Sequence, residues 1–181
     1  MRLILIIAFS CIMFTAAAQP DTHRRRHPPL KYLLHRKKTI AMVTFFDSIS
    51  KGKYYAIGLT TDRDKIHIKT DYRGKNLTCE MDMTSAETRK YLDSAGIGFE
   101  NVVKIKTFLE QAHMLAISNV MYGPVRMVEV TLNYNLLADN CKGLTFIEHE
   151  ADEKELPFDQ NYKKVGSRVF YSHYTGSPFY Y

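Results

Sequence analysis

The 181-residue chain has no tryptophan and only three cysteines. Three cysteines are too few for a scaffold held by a dense disulfide network. Without tryptophan, any sugar recognition by ring stacking would rest wholly on Tyr and Phe. The sequence has no Gly-x-Ser-x-Gly elbow and no Cys-x-x-Cys pair, the local signatures of one hydrolase class and of thiol redox chemistry. Gly96-Ile97-Gly98 lacks the third glycine of a dinucleotide fingerprint and does not follow a predicted strand. A phosphate-binding loop is also missing. These absences remove motif-bearing enzyme classes, whereas a catalytic set assembled from distant positions would leave no such trace.

Long apolar runs are scarce too. Leu3 to Ala18 is 16 residues, interrupted by Ser10 and Cys11, and a membrane-spanning helix needs about 20. Arg2 before this run and Ala16-Ala17-Ala18 at its end read as a secretory signal peptide over residues 1–18, cleaved before Gln19. Export to the periplasm or medium is the expectation. Lipidation at Cys11 is a rival, set back by its place inside the apolar run. Arg24, Arg25 and Arg26 just downstream favour a third arrangement, an uncleaved reversed anchor with the basic side kept in the cytoplasm.

What is present is ordinary in amount and uneven in place. Apolar residues make up 45 % and charged residues 24 %, which suits a globular domain. The net charge is +6. Residues 19–38 hold seven bases (Arg24, Arg25, Arg26, Lys31, Arg36, Lys37 and Lys38) against Asp21 alone, while residues 39–181 hold 17 bases and 18 acids. The excess therefore lies in one basic segment, expected to be a flexible arm before a single α+β domain at 39–181. His23, His27 and His35 would add charge at lower pH. Pro28-Pro29 prevents an earlier helix. Such an arm suits an anionic lipid or polysaccharide surface at the cell envelope, each Lys or Arg contributing roughly 1 kcal/mol; nucleic acid is not the expected partner. The acidic run at 148–159, with a net charge of −5, is an internal alternative.

Periodicity gives the fold class. Residues 39–83 read as a four-stranded antiparallel meander, beginning with a buried strand at Thr39 to Asp47 and ending with the alternating segments 66–71 and 77–83. One face of that sheet is expected to be covered and the other wet. Thr84 with Glu87 fits a capping box, and Gly96 suits the end of the short helix. A second helix is expected from Glu100 to Ser118, with Val102, Ile105, Leu109 and Ala112 on the stripe that covers the meander. Further strands follow near 128–134, 142–148 and 167–174. The order ββββ-αα-βββ, with strands and helices segregated, is α+β.

Candidate chemistry is sparse. Cys79 and Cys141 would remain after signal cleavage and could close a disulfide. Glu148-His149-Glu150 is the densest ligand-type cluster, but Glu153 stands where a zinc-protease helix needs its second His. It is a weak metal candidate, and no cofactor is expected. Asn76-Leu77-Thr78 matches the glycosylation acceptor. Tyr171, Tyr174, Phe179, Tyr180 and Tyr181 crowd the C-terminus as an aromatic surface. The first expectation is a non-enzymatic binding or structural role at the envelope. The alternatives are a small secreted metal-assisted hydrolase and an interaction or inhibitor module using the aromatic tail.

Overall fold

The computed structural model describes residues 30–50, 53–72, 75–122, 124–135, 140–149, 153–154 and 162–175. Helix α1 spans Leu30–Ser50, followed by strands β1 (Tyr55–Leu59), β2 (Lys65–Tyr72) and β3 (Lys75–Asp82). Helices α2 (Ala86–Ala95) and α3 (Phe99–Ala112) come next, then β4 (Ala116–Tyr122), β5 (Val125–Asn135), β6 (Asn140–Ile147), β7 (Tyr162–Gly166) and β8 (Val169–Thr175). The eight strands form one antiparallel sheet in the order β3-β2-β1-β4-β5-β6-β8-β7. The α+β class is as the sequence indicates.

The largest correction concerns residues 39–47, which belong to α1 and form no strand. Tyr32, Thr39, Met42, Val43, Phe46 and Ser50 are its buried positions, a spacing of three, four and seven residues that only a helix turns to one side. The expected four-stranded meander is therefore three-stranded, and the boundary drawn between residues 38 and 39 falls inside α1. Residues 19–29 of the expected arm and the expected signal peptide lie outside the described residues.

Local chemistry sets the other elements. Ser85, not Thr84, caps α2: its hydroxyl accepts from the N–H groups of Glu87 and Thr88 and donates to the Glu87 carboxylate. Thr84 instead bonds Asp82. Gly96 ends α2 at φ 83°, a left-handed conformation that glycine enters without steric cost. Asp93 accepts from the Phe99 N–H at 2.9 Å and so fixes the start of α3. That helix stops at Ala112, with His113 left-handed at φ 52°; the segment 116–122, expected in part to extend it, is β4. The Asn119 carboxamide on β4 accepts from the Tyr55 N–H at 2.6 Å and ties down the beginning of β1.

Helices α1 and α3 cover one sheet face. Ile57 lies opposite Ile68 on one side and Ile117 on the other, and the row continues through Val130 to Leu144. All five are buried in the main core with Phe46, Ile105 and Leu109. Tyr32 meets Phe146 edge to face at 6.4 Å. The opposite face is polar and mixed: on the meander Glu80 and Asp82 are exposed and Lys69 is buried, and beyond the meander Ser118, Thr131, Thr145 and Ser172 are buried. A smaller apolar cluster of Val125, Met127, Ile147 and Phe170 shares that side.

Candidate functional site

The N-terminal half of α1 turns its buried stripe inward and leaves a contrasting surface outside. Leu33 is 50 % exposed, Leu34 70 % and Ile40 41 %. Arg36, Lys37 and Lys38 are exposed between them. Among the described residues no ion pair joins any of these three bases to an acid. From Leu30 to Phe46 the helix has four bases and no acid. A helix dipole favours acids at this end, yet the first turn holds none and carries Lys31.

The other end of α1 is held by a cation from the sheet. Arg126 Nε lies 2.9 Å from Asp47 Oδ1, and its Nη2 donates to the Asp47 carbonyl at 3.0 Å and to the Ser50 hydroxyl at 2.6 Å. Arg126 thus satisfies a terminal carbonyl and balances Asp47, whose charge opposes the dipole there. It fixes α1 on β5 and so sets the direction in which the basic half points.

Two grooves flank the helix. One, of about 380 Å³, runs between α1 and the strand ends, with Arg36, Arg126 and Arg168 around an apolar floor. The other, of about 420 Å³, lies between α1 and α3 beside Lys38, Phe45 and Lys104. The Lys104 ammonium sits over the Phe45 ring at 4.0 Å, a cation–π contact that joins the two helices.

On the far face of the sheet, Glu129 stands in register with Ser118 and Thr145. Burial raises its carboxyl above the ordinary carboxylate range, with the Thr145 hydroxyl acting in the opposite sense. Tyr54 is raised as well, first by burial and then by the Glu129 charge. Lys69 lies over the Tyr54 ring at 5.9 Å. Alternation at 128–134 gives the strand but does not show that the side carrying Glu129 and Thr131 is covered.

The remaining sequence candidates do not converge. Cys79 is a free thiol on β3, raised in pKa by burial. Cys141 belongs to β6, five strand steps away. At about 4.8 Å per step that is roughly 24 Å, against a maximum near 7 Å for a bridged pair; the expected Cys79–Cys141 disulfide is excluded. His149 Nε2 lies 3.7 Å from Glu148 Oε1, both exposed, and Glu150 is outside the described residues. Among the described residues no three His, Cys, Asp or Glu side chains gather to hold a metal ion. His67 lies on β2, His113 caps α3, and neither groove beside α1 contains a histidine. Tyr171 is half-buried and packs against the main core. Tyr174 belongs to β8, while Phe179, Tyr180 and Tyr181 lie outside the described residues, as do Arg24, Arg25 and Arg26. No helix among the described residues is long and apolar enough to cross a membrane. Comparison of the chain with family models, curated proteins and solved structures finds no match.

Proposed function

We propose that this chain is a non-enzymatic binding protein for an anionic lipid surface at the cell envelope, and that the outer side of α1 makes the contact. One observation carries the reading: Leu33, Leu34 and Ile40 are exposed beside Arg36, Lys37 and Lys38 on a helix whose core-facing side is already filled. Three bases near an anionic surface contribute about 3 kcal/mol in total. Each aliphatic side chain adds up to about 1.5–3 kcal/mol if fully withdrawn from water. Neither contribution is large alone, so the contact is reversible and sensitive to salt, because solvated charges are screened within about 8 Å at physiological ionic strength. In the sequence, Lys31 and the Arg24-Arg25-Arg26 triplet add further positive charge N-terminal to these bases.

The test is co-sedimentation of the full chain with vesicles of phosphatidylcholine alone or mixed with phosphatidylglycerol. The mixed vesicles retain the protein and the neutral ones do not. Replacing Arg36, Lys37 and Lys38 together by Gln lowers retention on the mixed vesicles, as does added salt. Equal retention on both vesicle types would remove the electrostatic part of the reading.

A further inference from the structure

The groove between α1 and the ends of β5, β6 and β8 has features that the surface contact does not use. Its floor is formed by Val43, Val128, Phe146 and Val169, all buried core residues. Its volume, about 380 Å³, falls within the range of small-molecule sites, which are mostly apolar with a few charged groups that fix orientation. Three arginines and two carboxylates stand at the rim. The carboxylates have neighbours of opposite or ionisable character: Asp47 is paired with Arg126, and Glu148 lies beside His149. Arg126 is committed through two of its nitrogens to Asp47 and Ser50. Arg168 gives one N–H to the Glu148 carbonyl at 2.6 Å, and a guanidinium has five N–H donors. Arg36 is exposed on α1 at the same rim. An apolar trough with Arg36 and Arg168 at its mouth matches a ligand that has one alkyl chain and one oxyanion head, since guanidinium binds carboxylate or phosphate through paired hydrogen bonds.

We infer that this groove binds a single-chain anionic amphiphile, with its chain over Val43, Phe146 and Val169 and its head against Arg36 and Arg168. The groove adjoins the outer face of α1 and shares Arg36 and Ile40 with it, whereas Leu33, Leu34, Lys37 and Lys38 do not line it.

The experiment titrates the full chain by calorimetry with four probes below their micellar range: dodecyl phosphate, laurate, dodecyltrimethylammonium and inorganic phosphate. Dodecyl phosphate or laurate binds at least tenfold more tightly than either the cationic amphiphile or the chainless phosphate, and the preference between the first two identifies the head group. Arg36→Gln weakens binding of the preferred anion about tenfold, the loss expected for one charged hydrogen-bonding contact. Thr44→Trp, at an exposed position lining the groove, fills the trough and abolishes binding without altering the circular dichroism spectrum. Leu34→Asp separates this site from the surface contact: it removes vesicle retention and leaves dodecyl phosphate binding intact. Equal affinity for the cationic and anionic amphiphiles, or binding unchanged by both Arg36→Gln and Thr44→Trp, would overturn the assignment.

Discussion

Helices α1 and α3 lie on the same face of the same sheet, and their buried sides do the same work. Phe46 and Val43 on α1 enter one continuous core with Ile105 and Leu109 on α3. Their outer sides are built differently. Helix α3 has Glu100 in its first turn, where the dipole favours an acid, and three of its four charged side chains are ion-paired: Glu100 with Arg89 at 3.1 Å, and Lys106 with Glu110; the fourth, Lys104, lies over the Phe45 ring. Helix α1 reverses this pattern, with Lys31 in its first turn, Asp47 in its last and exposed leucines between. A charge opposing the dipole costs about 0.3–1 kcal/mol, and exposed leucines contribute nothing to the core. Core burial and ion pairs account for most of α3, whereas the exposed bases of α1 have no acid partner among the described residues.

The largest effects test whether the buried sides are equivalent. Phe46→Ala in α1 is expected to cost about 3–5 kcal/mol, and Leu109→Ala in α3 about 2–5 kcal/mol, both read by denaturant unfolding. If Phe46→Ala cost less than about 1 kcal/mol while Leu109→Ala kept its full effect, α1 would not be part of the core and the comparison would break.

The next effects concern the helix ends. Arg126→Met leaves Asp47 and the Ser50 hydroxyl without their cation and is expected to cost about 1–3 kcal/mol. Glu100→Gln, which weakens the exposed pair with Arg89 on α3, is expected to cost under about 1 kcal/mol. Similar losses in the two variants would contradict a special clamp on α1.

A third comparison sets the helix-covered sheet face against the polar one. Glu129 holds its proton to higher pH in the folded chain than in the unfolded chain. The folded state then binds more protons between those two values, so stability falls as pH rises through that window. Glu129→Gln removes this fall and stabilises the protein at neutral pH. Ile57→Val, on the apolar face, shifts stability by about 0.5–1.5 kcal/mol at every pH. A Glu129→Gln variant with the wild-type pH profile would show that the carboxyl is solvated.

These contrasts also mark what the sequence made legible. Alternation in 66–71 and 77–83 gave β2 and β3, and the Gly96 stop and the stripe of Val102, Ile105 and Leu109 gave the two central helices. Residues 39–47 misled because Thr39, Ile40, Val43 and Thr44 have strand-like composition, and a short apolar run does not distinguish strand from helix by periodicity alone. β4 was missed because Ala116, Ser118 and Asn119 lack the large alternating residues of a half-buried strand; their polar or small side chains are nonetheless buried. The Arg126 clamp joins residues 76 and 79 positions apart, a separation that no local pattern encodes. The basic segment was visible from charge alone. The helical form of residues 30–38, and the exposed leucines beside their bases, required the fold.

The smallest expected change in stability accompanies the most direct test of the account. Leu33→Asp with Leu34→Asp alters exposed side chains on α1 and is expected to shift unfolding free energy by about 0.5 kcal/mol or less per site. Retention of this double variant on vesicles containing phosphatidylglycerol is the measurement. Retention is expected to fall to the level seen with neutral vesicles while the fold is unchanged; wild-type retention by a folded double variant would rule out a membrane contact through the outer side of α1.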